Sequence, residues 1–121
     1  MQCQNYRRRL GLLKMKHFPV MNYSVLNEDG KTYAEFDNVA FEGPCKVICD
    51  KTEFYGGKKS KPYEGELIVN PTWGQLFLEA MKQQQQTLDF HHSFLEGAEV
   101  TATVKNGGLT MVQFIRLHLG S

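Results

Sequence analysis

The sequence predicts an α+β fold, in which one main helix packs across a face of a curved antiparallel sheet. Apolar residues recur at helical spacing between residues 71 and 86, whereas much of the remaining chain alternates apolar and polar residues as strands do. The Asn106-Gly107 dipeptide, a strong sequence signal for a tight hairpin, joins two of the alternating runs. We therefore expect the sheet to end in a three-stranded meander of residues 88–94, 98–105 and 108–119.

Length and composition indicate a single globular domain, residues 1–121. The chain has 14 basic and 13 acidic residues, so its formal net charge of +1 gives no global attraction to nucleic acid or to acidic lipid. With 41% hydrophobic and 22% charged residues, the composition excludes collagen-like, disulfide-scaffold and wholly disordered chains.

The cysteines favour a cytoplasmic location. Cys45 and Cys49 lie in a segment that we expect to be a strand, where four residues span about 13 Å. A disulfide needs Cα atoms within about 7 Å, so this pair is not expected to close, and unpaired cysteines are typical of the reducing cytosol. No apolar run approaches the roughly 18 residues of a membrane span, so we expect no membrane partner.

Residues 1–18 form a basic segment without acidic residues, and arginine occupies positions 7–9. Three interpretations remain open. Apolar residues such as Tyr6, Leu10 and Leu13 have the spacing of a short amphipathic helix. The charge is that of a basic arm that contacts phosphates, and an acid-poor start is typical of an organelle transit peptide.

A hairpin is expected around Gly30. Asp29-Gly30 has the residue types of a tight turn, and a two-residue loop there places Val25 opposite Ala34 and Tyr23 opposite Phe36. Both pairs are apolar, which supports this register.

Two short strands, residues 45–49 and a buried one at 67–69, precede the predicted helix. Asn70 is expected to cap the helix, and Thr72 with Gln75 offers an alternative capping box one register later. The apolar stripe that should face the sheet comprises Trp73, Leu76, Phe77, Ala80 and Met81.

The register of the meander follows from its two predicted loops. With Asn106-Gly107 as a two-residue loop, Val100 faces Gln113. With Leu95-Glu96-Gly97 as a three-residue loop, His92 faces Val100 from the other side. A shift of one residue would turn every side chain to the opposite face, and the apolar pattern favours this register. His92 and Gln113 therefore share one row of an otherwise apolar face.

This polar pair is the candidate site. A buried imidazole and a buried carboxamide each need a hydrogen-bond partner, because an unsatisfied one costs about 1–3 kcal/mol. Two polar groups at the back of an apolar pocket are typical of a small-molecule site, in which His92 supplies acid–base chemistry and Gln113 orients the ligand. The expected pocket walls are Trp73, Phe77, Phe90 and Phe94. The alternative is that protein groups or buried water satisfy both side chains and no ligand binds.

A helix followed by a meander resembles, at the level of fold alone, the nuclear-transport-factor-2-like and hot-dog architectures. This resemblance implies a pocket between the helix and the sheet and assigns no chemistry. No metal or cofactor is expected, since the rings of His91 and His92 would face opposite sides of a strand. Asp89, His91 and Ser93 would share one side, but about 6.6 Å separates successive residues there, too far for a catalytic triad.

Two other surfaces give the alternative functions. Val112 and Phe114 lie on the opposite face of the meander, where exposed apolar residues are typical of a homodimer interface unless another part of the chain covers them. The lysine-rich loop over residues 50–65 and the basic residues 7–9 offer charge and aromatic rings to nucleic acid. The balanced overall charge makes this the weaker hypothesis, and we do not expect nucleic acid to bind.

Overall fold

The structure, a computed structural model, describes residues 21–50, 54–55, 58–59, 61–105 and 111–121. Within them the α+β fold is confirmed, because one main helix packs against a multi-stranded sheet. The predicted N-terminal helix and the Asn106-Gly107 loop lie outside the described residues. The helix is α1 (Trp73–Thr87), and the strands are β1 (Asn22–Tyr23), β2 (Pro44–Cys49), β3 (Phe54–Tyr55), β4 (Lys58–Lys59), β5 (Tyr63–Glu64), β6 (Ile68–Val69), β7 (Phe94–Lys105) and β8 (Met111–Gly120).

The main sheet is mixed rather than purely antiparallel. Its strand order is β1-β7-β8-β2-β5, and β6 also pairs with β2. β7 and β8 form an antiparallel hairpin, whereas β1 runs parallel to β7 and β2 runs parallel to β8. A parallel pair needs a long connection between its strands, and the segment that contains α1 supplies it in both cases. β3 and β4 form a separate two-stranded sheet.

The predicted strand over residues 88–94 is wrong, and only its last residue enters β7. Leu88 follows α1 in the left-handed conformation, with φ of 59°, and the carboxylate of Asp89 then accepts a hydrogen bond from the backbone N–H of His91. Such local bonds between side chain and backbone compete with a strand ladder. In place of a third meander strand, β1 pairs with the first residues of β7.

The register of β7 and β8 also differs from the predicted one. Lys105 pairs with Met111, so five residues separate the paired positions where two were expected. After a register shift between Val100 and Ala102, Val100 lies opposite Ile115 instead of Gln113. This alignment pairs Val100, which is 38% exposed, with the fully buried Ile115, and cross-strand contact between two apolar side chains favours it.

α1 begins at the alternative capping box. The hydroxyl of Thr72 accepts from the N–H of Gln75 (3.2 Å), and the side-chain oxygen of Gln75 accepts from the N–H of Thr72 (2.9 Å). Asn70, the first choice for the cap, instead accepts from the N–H of Gly43 through Oδ1. Among the residues described, no helix has the length and apolar character that crossing a membrane requires.

The predicted stripe of α1 forms one wall of the core. Its members are fully buried except Trp73, which is half buried. They pack against side chains of the sheet and of the N-terminal hairpin, namely Met21, Val25, Phe36, Cys45, Val47, Leu95, Ile115 and Leu117.

The N-terminal hairpin has its predicted register but only a minimal ladder. Leu26 and Tyr33 form an isolated bridge, and the N–H of Ala34 donates to the carbonyl of Val25 (2.9 Å). The short strand β6, in contrast, is not the buried strand that was predicted, since Val69 is 61% exposed.

Candidate functional site

An aspartate–histidine pair lies in the link between α1 and β7. The left-handed Leu88 turns the chain sharply after the helix. Oδ1 of Asp89 accepts from the backbone N–H of His91 (3.2 Å), and Oδ2 of Asp89 lies 2.7 Å from Nδ1 of His92. An ionised carboxylate can only accept, so Nδ1 is the donor, and Nε2 is left as the proton acceptor of the neutral ring.

A second polar group lies on the β7–β8 hairpin. Glu99 and Arg116 are opposite each other in the two strands, and Oε1 of Glu99 lies 2.8 Å from Nη2 of Arg116 and 3.3 Å from Nε2 of His118. These side chains are about half exposed, so their ion pairs contribute little to stability. Their consequence is local: one carboxylate oxygen positions both a guanidinium and an imidazole.

Members of both groups line one cleft of about 600 Å³. It lies between the C-terminal half of α1, the link that follows it and the ends of β2 and β8. The volume falls within the range of about 300–1,000 Å³ that is usual for small-molecule sites. The polar lining includes Gln83, Thr87, Asp89, His92, Arg116 and His118, and apolar lining comes from Ile48, Leu117 and Leu119.

Gln83, which lines the cleft from α1, has a buried acceptor without a partner among the described residues. The residue is only 5% exposed, and its Oε1 has no hydrogen-bond partner among the described residues. The hydroxyl of Thr87 donates to the backbone carbonyl of Gln83 (2.8 Å) and not to this side-chain oxygen. A buried acceptor without a partner costs about 1–3 kcal/mol, which makes this position an energetically costly one.

The structure separates the two predicted anchors of the site. His92 lies outside any strand, and its side chain is 49% exposed. Gln113 pairs across the sheet with Thr103, and its Nε2 donates to the backbone carbonyl of Glu42 (2.6 Å). The expectation that both side chains share one apolar row is wrong, because it required residues 88–94 to form a strand. His92 lines the cleft, whereas Gln113 is not among the described residues that do.

The predicted aromatic walls, Trp73, Phe77, Phe90 and Phe94, are absent from the described lining of this cleft. Phe77 is fully buried in the core and stacks on Phe36 with ring centroids 5.7 Å apart. Phe94 is 38% exposed at the start of β7, and Trp73 and Phe90 are half buried. A role for these side chains in ligand binding stays a prediction.

Sequence reasoning missed most of the cleft. In a strand, Asp89 would share one side with His91, but in a turn the residue three positions on, His92, comes within hydrogen-bond distance. The available signal was Asp-x-x-His directly after a helix end. Arg116 and His118 gave no signal of their own, because alternating polar residues on a strand usually face solvent.

The surfaces behind the alternative functions are only partly described. Val112 is 2% exposed, so the expected pair of exposed apolar residues is not found, and Phe114 is half buried. Residues 7–9 and residues 51–53, 56–57 and 60 of the lysine-rich loop lie outside the described residues. Binding of nucleic acid therefore stays untested.

A separate buried carboxylate belongs to α1. Glu79 is 4% exposed, and its Oε1 accepts from the hydroxyl of Tyr63 (2.8 Å) while Oε2 lies 3.4 Å from Nζ of Lys82. Burial and, next, the charge of Glu79 raise the pKa of Tyr63 far above its ordinary value. All these partners are internal, so we assign this group a structural role.

Neither a metal-binding cluster among the described residues nor a similar protein indicates what the chain does. Within the part of the chain that the structure describes, no three His, Cys, Asp or Glu side chains are grouped so as to hold a metal ion. Comparison of the chain with protein-family models, with curated proteins and with solved structures found no match.

Proposed function

We propose that this protein binds a small organic ligand in the cleft at the C-terminal end of α1. The observation that supports this most directly is the hydrogen bond of 2.7 Å between Asp89 and His92 in the wall of that cleft. It orients an imidazole beside about 600 Å³ of accessible space and leaves its Nε2 for a ligand. The proposed site therefore lies beyond the end of the helix and not beneath its apolar stripe.

The composition of the lining favours a polar ligand. Asp50 and Asp89 offer acceptors, and Arg116 offers donors from the strand side. Leu117 and Leu119 add apolar contact surface. A ligand with both hydrogen-bond donors and acceptors on a small apolar body fits this distribution.

A panel of metabolites screened by thermal unfolding tests the proposal. A ligand that binds only the folded chain, at 100 times its Kd, should stabilise it by about 2.7 kcal/mol. We expect His92→Ala to abolish this stabilisation and His91→Ala to preserve it, because His91 is the adjacent imidazole but is not among the described lining residues. A broad panel with no stabilising compound, or equal stabilisation of His92→Ala, would argue against the proposal.

A second candidate function is homodimerisation, which one observation favours. β7 pairs with β1 only at Phe94 and Leu95, and beyond them no described residue pairs with its outer edge. Residues 100–105 of this edge are exposed. An open edge can pair antiparallel with the same edge of a second copy about a twofold axis.

Sedimentation equilibrium distinguishes this candidate. Val104 and Val39 are both exposed, but only Val104 lies on the β7 edge. Pairing through β7 therefore predicts a dimer that Val104→Lys dissociates and Val39→Lys leaves intact. A monomer at all concentrations would exclude it.

We also propose a cytoplasmic location. Cys45 is a buried free thiol, which is usual for proteins of a reducing compartment. Measurement of free thiols in the protein as isolated from cells, with alkylation before lysis, tests this.

A further inference from the structure

The geometry of the cleft points to an acid–base site, and we infer that His92, positioned by Asp89, takes a proton from an acidic hydroxyl group of the ligand. This inference rests on the proposed ligand binding and adds a chemical class to it. The class is small organic molecules with an acidic O–H, such as phenols and enols.

The first step of the argument concerns the proton acceptor. Nδ1 of His92 is 2.7 Å from Oδ2 of Asp89, and the other oxygen of that carboxylate is bonded to the backbone of His91. The carboxylate of Asp89 therefore orients the ring and favours the tautomer that carries its proton on Nδ1. No hydrogen bond to Nε2 is found among the described residues, so this atom is available to a group in the cleft.

The second step concerns charge. When the O–H bond breaks, the proton passes to Nε2 and the electron pair stays on the oxygen of the ligand. Asp89 compensates the imidazolium that forms, as a carboxylate beside the second ring nitrogen does in acid–base sites generally. Arg116, which lines the cleft from the strand side, has five N–H donors. Among the described residues Glu99 contacts only its Nη2, so donors remain for the anionic oxygen.

A further observation agrees with this assignment. Oε1 of Glu99 also lies 3.3 Å from Nε2 of His118, and His118 and Arg116 are both among the residues that line the cleft. The reaction needs no redox partner, because only a proton moves.

Binding of 4-nitrophenol to the full chain tests the inference, because the ionised form of this probe absorbs at longer wavelength than the neutral form. We expect the ratio of ionised to neutral probe to rise about tenfold on binding at a pH where most free probe is neutral, which corresponds to a one-unit fall in the pKa of the probe. His92→Gln should abolish the rise. Asp89→Asn should do so too, because an asparagine amide can donate to Nδ1 and so favours the opposite tautomer.

His91→Gln is the matched control and should behave as the parent protein does. Far-ultraviolet circular dichroism establishes that each variant is folded. Arg116→Gln is a second test, because it should reduce the ionised fraction of the bound probe while the imidazole of His92 remains. Each of three results would overturn the inference. The bound probe could titrate as it does in free solution, the rise in its ionised fraction could survive His92→Gln, or the probe could fail to bind at millimolar concentration.

The proposed function and this inference can fail separately. If a compound without an acidic hydroxyl stabilises the parent protein but not His92→Ala, and 4-nitrophenol does not bind, then ligand binding stands and the acid–base assignment falls. If the panel and the probe both fail, neither stands.

Discussion

Replacement of Gly65 by alanine probes the buried carboxylate of α1. A Cβ at this position would overlap Oε1 of Glu79 and would lie 3.3 Å from the hydroxyl of Tyr63. The backbone of Gly65 is not in the left-handed region, so alanine itself is tolerated there and the strain falls on the carboxylate. The carboxylate of Glu79, at the end of a flexible side chain, must move away, and we expect its hydrogen bond of 2.8 Å to Tyr63 to be lost.

The expected loss follows from that bond. A hydrogen bond to a buried charged group contributes about 1.5–3 kcal/mol, so Gly65→Ala should lower the free energy of unfolding by about that amount. For a domain of this size the corresponding fall in Tm is roughly 5–15 °C. Urea unfolding followed by circular dichroism measures the first quantity, and a thermal scan measures the second.

A double-mutant cycle isolates the cause. In a Glu79→Ala background the carboxylate is gone, so Gly65→Ala should cost only a few tenths of a kcal/mol. If Gly65→Ala is equally destabilising in both backgrounds, or is neutral in the parent protein, the explanation through Glu79 is refuted.

Three further variants test the helix α1 and its contacts. Tyr63→Phe removes the bond to Glu79 and should lower the free energy of unfolding by about 1.5–3 kcal/mol in urea titrations, and an unchanged midpoint would contradict this. Because the pKa of Tyr63 is raised in the folded state, the unfolded chain loses this proton first, at about pH 10. The stability that Tyr63 contributes is therefore present below that pH and is lost as the pH rises above it. Urea titrations at alkaline pH should show a shallower decline in the free energy of unfolding for Tyr63→Phe than for the parent protein. Thr72→Ala removes the capping box and should cost about 0.5–2 kcal/mol, with Thr103→Ala on exposed β7 as a control of small effect. Phe77→Ala removes a fully buried core side chain and should lower the free energy of unfolding by about 3–5 kcal/mol. A loss below about 1 kcal/mol would show that the core around Phe77 is not packed as described.

The helix was predictable because its determinants are local. The stripe of α1 and the capping box at Thr72 are read from residues at most four positions apart. Only the choice between two caps remained open, and tertiary structure decides it: Asn70 is needed by the N–H of Gly43, 27 residues away in the sequence.

The order of the strands was not predictable, because it depends on partners distant in the sequence. β2 pairs with β8 in parallel, Cys45 opposite Gln113, and no turn signal marks such a pair. An alternating run at residues 88–94 suggests a strand, yet the left-handed Leu88 and the bonds of Asp89 prevent one from forming there. Local hydrogen bonds of this kind change the outcome without changing the apolar pattern.

His92 lines the cleft, but its surroundings differ from the predicted ones. The sequence predicts a polar residue on an apolar sheet face, whereas in the structure His92 lies in a turn with Oδ2 of Asp89 beside its Nδ1. Arg116 and His118, which also line the cleft, are on β8. Near the turn, the predicted register of β7 against β8 differs from the observed one by three residues.

The protonation of His92 gives the most direct test of the proposed site. Long-range ¹H–¹⁵N correlation spectra of the full chain distinguish the two neutral tautomers of each histidine ring. At alkaline pH the account requires His92 to carry its proton on Nδ1, held by Asp89, with Nε2 unprotonated and available to a ligand. A spectrum in which His92 carries its proton on Nε2, unchanged by Asp89→Asn, would contradict the account.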